Sequence, residues 1–265
     1  MGIVNRTPDS FSDGVAGEDL ESALVRAFGL IAAGADRLDL GGESTRPGAT
    51  PVSEAEEIDR VIPLIRAIRL IRDVPISIDT KKPGVARAAV AAGASMWNDV
   101  TALSYGEESL KTAAELGCEV VLMHMKGDPG TMQRWPRYDD VVAEVTAFLA
   151  GRAAAAMAGG VERGRIWLDP GIGFGKTAQH NLALLAGLGR LVELGFPVLL
   201  GASRKGFIRA VDAAAETARD RLGGSLAAAL AGATAGVAMV RVHDVRQTVQ
   251  ALAMAAAIEE AGRDG

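Results

Sequence analysis

Residues 32–48 of the chain are AAGADRLDLGGESTRPG, and this stretch holds the pattern that decides the fold. An alanine-rich segment ends at Gly34, a short apolar run follows at 38–40, and a polar cluster begins at Glu43. Glycine commonly ends a helix because it adopts the left-handed backbone without a steric cost. Short apolar runs that follow such signals are typical of buried strands in a parallel sheet. The stretch therefore predicts a helix end, a strand and a polar loop, in that order.

The same succession recurs along the chain, where Gly93, Gly117, Gly195 and Gly236 each precede an apolar run. The repeat places strands near residues 2–5, 36–41, 75–79, 95–99, 119–124, 165–169, 197–202 and 237–242. Residues 53–56 have the pattern of a helix capping box, and apolar residues at helical spacing follow it. Eight strand–helix units are typical of a TIM barrel. We predict an α/β fold, a single-domain (β/α)8 TIM barrel over residues 1–265, with a doubly wound parallel sheet as the alternative.

The composition argues against several classes of protein. With 49% hydrophobic and 23% charged residues, the chain is able to build a core and is not expected to be disordered. Its net charge of −5 and the lack of a basic run predict no nucleic-acid partner. Gly, Asp or Arg interrupts the apolar stretches short of a membrane span, so we expect no membrane contact.

Cysteine content and the first residues bear on the compartment. The single cysteine, Cys118, excludes an internal disulfide and fits a reducing compartment, and we expect it to be a small buried side chain. Residues 1–14 are polar and do not have the pattern of a signal peptide. These features predict a cytoplasmic location.

Polar side chains cluster at the predicted carboxyl ends of the strands, where barrel enzymes have their active sites. In chain order these are Asn5, residues 43–46, Asp79, Asn98, His124, Asp169, residues 203–205, Arg241 and His243. The opposite strand ends carry ordinary turn residues. This asymmetry indicates an enzyme or a small-molecule-binding protein.

The acidic and amide residues among them suggest a planar ligand. Carboxylates such as Asp79 and Asp169 accept two parallel hydrogen bonds from an amidine-like or guanidine-like edge. The amide of Asn98 supplies both donors and an acceptor beside them. The alternative is a ring of structural polar side chains that satisfy one another at the barrel mouth.

The basic residues suggest an anionic part of the ligand. Arg241 and His243 are two residues apart on one strand, so both face the same way, and a helix is predicted to begin near Asp244. Strands 7 and 8 of barrels often build a phosphate site at such a helix start. Arg204 and Lys205 lie one strand away. For His243 alone, a structural role is an equal alternative.

For several other polar residues we expect no role in ligand binding. We expect His124 to be an ordinary strand-end residue, and Lys81 and Lys82 to be solvated. The glycine-rich run 171–175 is similar to a phosphate-binding turn, but such a run alone is weak evidence.

Seven motifs resemble those of the dihydropteroate synthase family in order and spacing, over essentially the whole chain. They are NRTPDSFSDG at 5–14, DLGGESTRPG at 39–48, SIDT at 77–80, ND at 98–99, DPGIGFGK at 169–176, GASRK at 201–205 and RVH at 241–243. The resemblance implies condensation of 7,8-dihydropterin-6-methyl pyrophosphate with p-aminobenzoate to 7,8-dihydropteroate, a step of folate biosynthesis. A pterin- or methyltetrahydrofolate-dependent methyltransferase barrel and a non-catalytic pterin-binding relative are the alternatives.

The resemblance also implies roles for individual residues. The pterin ring is expected to contact Asp79, Asn98, Asp169 and Lys205. The pyrophosphate is expected to contact Asn5, Thr45, Arg241 and His243, with Asn5 also a ligand of Mg²⁺, the implied cofactor. The p-aminobenzoate pocket, which sulfonamides mimic, is expected to be shaped by Arg46, Pro47, Phe174 and Ser203. Asp79, Lys205, Arg241 and His243 are the implied catalytic residues.

The resemblance further suggests how the reaction runs and how the chain assembles. Departure of pyrophosphate leaves a cation-like methylene on the pterin, so we expect an SN1-like reaction without a protein nucleophile. The long loops at 6–17 and 43–53 are expected to close over the site. A homodimer is implied, and the small-residue helices at 218–235 and 246–261 permit close packing. Arg6 and Gly206 depart from common family patterns, and Arg6 is expected either beside the pyrophosphate or in solvent.

Overall fold

The computed structural model describes residues 1–6, 19–44, 50–127, 132 and 136–263. The strands are β1 (Gly2–Asn5), β2 (Leu38–Gly41), β3 (Ile76–Asp79), β4 (Met96–Asp99), β5 (Glu119–Met123), β6 (Ile166–Asp169), β7 (Leu199–Leu200) and β8 (Met239–Val240). Each lies within a predicted strand, although β7 and β8 are shorter than predicted.

Helices separate the strands. They are α1 (Leu20–Ala32), α2 (Glu54–Ile71), α3 (Pro83–Ala91), α4 (Glu108–Leu116), α5 (Val141–Ala158), α6 (Ala178–Ala186), α7 (Leu188–Val192), α8 (Phe207–Val211), α9 (Leu222–Thr234) and α10 (Val245–Arg263). The start of α2 confirms the predicted cap, since the Ser53 side chain accepts a hydrogen bond from the backbone N–H of Glu56. Gly117 ends α4 at a φ of +58°, the left-handed conformation that the sequence pattern predicted.

The strands close into a ring. β1 to β6 pair in sequence order, each parallel to the next, and β7 pairs in parallel with β8. Parallel bridges join Leu168 to Val198 and Gly2 to Val242, so β7 follows β6 and β8 returns to β1. This topology is the predicted (β/α)8 barrel, and the doubly wound alternative is wrong.

Side chains of alternate residues fill the inside of the barrel below its carboxyl end. A cluster of Met1, Met96, Val121 and Leu199 packs with Trp167 and Met239. Met96 precedes Asn98 by two residues, as Trp167 precedes Asp169, so these pairs point the same way along their strands. The period of two therefore places apolar side chains in the floor and polar side chains at the rim above it.

Helix α5 is an apolar helix on the outside of the barrel, next to β5. Among the described residues it is the helix that is long and apolar enough to cross a membrane by length and composition alone. However, Val145, Leu149 and Ala153 are buried in the barrel core, and Arg152 donates to the carbonyls of Ala102 (2.8 Å) and Leu103 (2.9 Å). Packing of α5 against the barrel core therefore accounts for its apolar composition.

Candidate active site

A cavity opens at the carboxyl ends of the strands. It encloses about 350 Å³ of space between the side chains, part of it continuous with solvent. Its lining consists of Asp79, Asn98, Val100, Met123, Asp169, Gly171, Phe174, Gly201, Lys205 and Arg241. Six of the residues implied by the resemblance thus share one cavity, although they come from five different strands or the loops that follow them.

Arg241 joins the acidic groups of the cavity. Its Nε donates to Asp39 Oδ2 at 2.5 Å and its Nη2 donates to Asp79 Oδ2 at 2.8 Å. Asn98 also donates to Asp39 Oδ2, at 3.2 Å. Asp39 is completely buried, and among the described residues its Oδ1 has no hydrogen-bond partner. Asp39 therefore holds Arg241 and Asn98 in place from below the cavity.

In the sequence Asp39 is identified only as part of a motif, and its role below the cavity is not predicted. The sequence does contain a sign of this role, because Asp39 is a carboxylate between two leucines of a predicted buried strand. A buried carboxylate needs a partner, so one in such a run indicates a cation elsewhere in the fold.

The charges of Arg241 and Asp79 influence each other strongly. Burial raises the pKa of Asp79 to about 7, and the charge of Asp39 adds to the effect while Arg241 opposes it. Burial lowers the pKa of Arg241, but the charges of Asp39 and Asp79 outweigh burial and hold it above its ordinary value. Arg241 is therefore a permanent cation, whereas Asp79 changes its charge near neutral pH.

Asp169 and Lys205 face each other across the cavity. Asp169 accepts a hydrogen bond on Oδ1 from the Gly171 N–H at 2.6 Å, and burial raises its pKa although that bond and Lys205 oppose the shift. Lys205 Nζ donates to the Ile172 carbonyl at 2.6 Å and lies 4.1 Å from the centre of the Phe174 ring. Burial lowers the pKa of Lys205 to about 8, against the effect of Asp169. The pair presents an acceptor and a donor to a flat polar ligand.

The loop 171–175 packs too tightly to act as a separate phosphate-binding turn. Gly171 has a φ of +65°, and a Cβ there would lie 1.9 Å from the His124 carbonyl oxygen. Lys176 Nζ donates to the carbonyls of Gly171 (2.9 Å) and Phe174 (3.0 Å) and contacts His124 Nδ1 at 2.9 Å. Burial lowers the pKa of Lys176 to about 7 and that of His124 to about 3. His124 and Lys176 therefore support the loop that carries Phe174.

Ser203 and His243 form a pair beside the cavity. Ser203 Oγ lies 3.0 Å from His243 Nδ1, and it accepts a hydrogen bond from the His243 backbone N–H at 3.2 Å. The structure thus joins these two predicted residues to each other. His243 follows Arg241 by two residues after β8, and Ser203 comes after β7. Thr45, Arg46, Pro47 and most of the two long loops lie outside the described residues.

Asn5 ends β1 beside Gly41, although it is not among the residues that line the cavity. A Cβ on Gly41 would lie 3.3 Å from Asn5 Oδ1 and 3.6 Å from the Asp79 Cβ, so both side chains flank Gly41. Among the described residues, no group of three His, Cys, Asp or Glu side chains is arranged to hold a metal ion. One amide oxygen fits a Mg²⁺ ion that takes its other ligands from water and substrate phosphates, as Mg²⁺ commonly does.

Two basic residues differ from our expectations. Lys82 is not solvated: it is buried, and its Nζ forms ion pairs with Glu57 at 2.6 Å and Glu43 at 2.9 Å. Arg6 donates from Nη1 to the carbonyl of Arg60 in α2 at 2.5 Å, so it is half-buried against that helix. Cys118 is buried, as predicted.

Comparison with known proteins agrees with this geometry. Residues 1–243 match the model of the family described as pterin binding enzyme. Dihydropteroate synthase of Escherichia coli K12 is 46% identical over 252 residues, which cover 95% of this chain and 88% of that protein. The Yersinia pestis dihydropteroate synthase, solved as a sulfonamide drug complex, superimposes with a TM-score of 0.94 at 42% identity and covers 98% of this chain and 94% of its own.

The Xanthomonas albilineans dihydropteroate synthase has been solved with 4-aminobenzoic acid and with 7,8-dihydropteroate. These structures superimpose with TM-scores of 0.91 and 0.88 at 50% and 47% identity, and each comparison covers 98% of this chain and 92% of that one. The matches span nearly the full length of both partners. The chain therefore belongs to the pterin-binding enzymes and, among them, to the dihydropteroate synthase family of transferases.

Proposed function

We propose that this chain condenses 7,8-dihydropterin-6-methyl pyrophosphate with p-aminobenzoate, giving 7,8-dihydropteroate and pyrophosphate. The observation that carries the proposal is the single cavity in which Asp79, Asn98 and Asp169 face Lys205 and Arg241. Such a cavity suits a flat ring that donates hydrogen bonds on one edge and accepts them on another. The binding of 7,8-dihydropteroate by the Xanthomonas relative supports the same substrate class here.

The pterin ring takes its orientation from Asp169 and Lys205. Asp169 Oδ1 accepts one hydrogen bond from the Gly171 N–H and keeps a second lone pair, so both carboxylate oxygens are able to accept from the 2-amino group and N3–H of the ring. Lys205 donates to the oxygen and nitrogen side of the ring. Its ammonium group is the main form at neutral pH, since its pKa is about 8. Asn98, at the rim of the barrel, supplies the remaining hydrogen-bond donor and acceptor for the ring.

The pyrophosphate is held by Arg241, His243 and Asn5. Arg241 remains cationic because two carboxylates support its charge. When bound, Mg²⁺ offsets the negative charge that develops on the departing pyrophosphate. Arg241 and His243 would donate hydrogen bonds to the pyrophosphate oxygens, and Asn5 would hold the ion through Oδ1.

The reaction proceeds by loss of pyrophosphate before attack of the amine. The carbon–oxygen bond of the 6-methyl group breaks, and the bonding electrons leave with pyrophosphate. The ionised Asp79 stabilises the cationic pterin methylene that remains. The aryl amine then forms the carbon–nitrogen bond and releases one proton to solvent. No protein nucleophile takes part, and Cys118 is buried in the core with a pKa that burial raises.

The amine substrate lies between Phe174 and the Ser203–His243 pair, with Arg46 and Pro47 contributing from the second long loop. The complexes of relatives with 4-aminobenzoic acid and with a sulfonamide support this pocket. We further propose a cytoplasmic homodimer that packs through α9 and α10. Met254 and Ile258 of α10 are exposed large apolar side chains and suit such an interface.

A pyrophosphate-release assay tests the proposed function. With the pterin substrate and Mg²⁺, we expect release that depends on p-aminobenzoate and that Lys205→Ala abolishes. The matched control is Lys111→Ala, because Lys111 is exposed on α4, far from the cavity. Release without any dependence on p-aminobenzoate would contradict the proposal, and turnover of a methylated folate would favour the methyltransferase alternative. Pterin binding without release would favour a non-catalytic relative.

A further inference from the structure

The turn after β7 contains an uncommon backbone conformation. Arg204 has a φ of +58°, in the left-handed region that residues with a Cβ rarely adopt. Ser203 and Lys205, on either side of it, are both proposed substrate-contacting residues. Conformations of this kind persist only where the surroundings enforce them, and they concentrate at functional sites. The contacts of Arg204 therefore bear on the site.

The Arg204 side chain forms a bidentate pair with Asp244. Nε donates to Oδ2 at 2.9 Å and Nη2 donates to Oδ1 at 2.6 Å. Both side chains are mostly buried, at 16% and 15% exposure, so water competes little for these bonds. Our sequence analysis placed the charge of Arg204 near an anionic ligand. In the structure this guanidinium instead ties the turn after β7 to the turn after β8.

The backbone of Arg204 is held as well. Its N–H donates to Ser225 Oγ at 2.8 Å, and its carbonyl accepts a hydrogen bond from Arg221 Nη1 at 3.1 Å. Ser225 Oγ in turn donates to the Arg221 carbonyl at 2.6 Å. Rotation of either peptide bond next to Arg204 would break one of these bonds and redirect a neighbouring side chain.

The geometry points to Arg204 and Asp244 as a positioning pair for the transfer reaction. The pair holds the left-handed turn so that Lys205 reaches the Ile172 carbonyl and Phe174, while Ser203 reaches His243. Neither member is a cavity-lining residue among those described. The inference rests on the proposed function for the roles of the residues that the pair positions.

Glycine separates this role from a purely structural one. Arg204→Ala and Arg204→Gly both remove the bidentate pair, but only glycine adopts a φ of +58° without a steric cost. We expect Arg204→Ala to lower kcat/KM for the pterin substrate by about 10- to 100-fold, a typical result of misplacing binding groups. We expect Arg204→Gly to recover most of that loss. The matched control is Arg209→Ala, an exposed arginine of α8, with unchanged kinetics.

Melting temperature and pterin affinity, measured on the same variants, complete the test. Equal loss of kcat/KM in the alanine and glycine variants, or wild-type kinetics in the alanine variant, would overturn the inference. If the alanine variant does not fold, Asp244→Asn decides: wild-type kcat/KM in that variant would overturn it. Failure of the proposed function itself would differ, because the unmodified chain would then release no pyrophosphate.

Discussion

Two groups of charged residues lie close together in the barrel but have opposite properties. The cavity cluster comprises Asp79, Asp169, Lys205 and Arg241, and the sealed cluster comprises Glu43, Glu57 and Lys82. Lys82 is only three residues from Asp79 in the sequence, yet its ammonium pairs with two carboxylates and does not line the cavity that Asp79 lines.

The pKa values express the difference. Burial lowers the pKa of Lys82, but its bonds to Glu57 and Glu43 outweigh burial and the net pKa is raised. For Asp79, Asp169 and Lys205 of the cavity cluster burial prevails, so the pKa of Asp79 rises to about 7 and that of Lys205 falls to about 8. Arg241 is the exception, because Asp39 and Asp79 outweigh burial there. A charge paired within the protein is stabilised in its ionised form, whereas a charge at a cavity gains its full set of partners only with a ligand. We therefore expect the sealed cluster to govern stability and the cavity cluster to govern activity.

The largest effect is expected in the sealed cluster. Lys82→Met leaves the fully buried Glu57 carboxylate without a cation, and its Oε1 already has no partner among the described residues. Removing one member of a buried pair typically lowers the free energy of unfolding by about 3–5 kcal/mol. Urea denaturation measures this change. The control Lys111→Met removes an exposed ion pair of 3.9 Å and should cost little. A loss below about 1 kcal/mol for Lys82→Met would contradict the comparison.

The next effect concerns activity in the cavity cluster. Asp169→Asn keeps the shape of the side chain but replaces a charged acceptor of the pterin edge, so we expect kcat/KM to fall about 10- to 100-fold. The melting temperature should stay the same or rise, because the raised pKa of Asp169 shows that its ionised form is unfavourable in the fold. Steady-state kinetics and thermal denaturation measure both. A variant that is active but less stable would place Asp169 with the structural charges instead.

The pH dependence of the reaction sharpens the same comparison. The proposed mechanism needs an ionised Asp79 and a protonated Lys205. Activity should therefore rise with pH through about 7, where Asp79 loses its proton, and fall above about 8, where Lys205 does. A profile of kcat/KM against pH measures the two limbs. Lys205→Arg should shift the basic limb beyond the measurable range, because arginine does not titrate there. A basic limb unchanged in that variant would assign it to another group.

The barrel and most of the cavity were predictable from the sequence because they depend on local signals. Glycine after several helices and alternation along each strand place Asp79, Asn98 and Asp169 at one rim, wherever the helices pack. The structural roles of Lys82 and Arg204 depend on contacts between residues that are distant in the sequence. Lys82 is buried because α2 brings Glu57, 25 residues away, beside it, and Arg204 is held by a residue 40 positions later. A run of charged residues gives no local sign of such partners.

The smallest effect separates the two adjacent lysines of β3's carboxyl end. Lys81 contacts Glu43 at 3.4 Å from the edge of the sealed cluster and remains 22% exposed. The contact is long and Lys82 still pairs with Glu43 after the change, so Lys81→Met should lower the free energy of unfolding by about 1 kcal/mol or less in urea denaturation. Combining it with Glu43→Gln shows whether the two residues couple. If Lys81→Met costs as much as Lys82→Met, the stability resides in Glu43 rather than in Glu57, because Glu43 is the only carboxylate of the sealed cluster that both lysines contact in the described part of the chain.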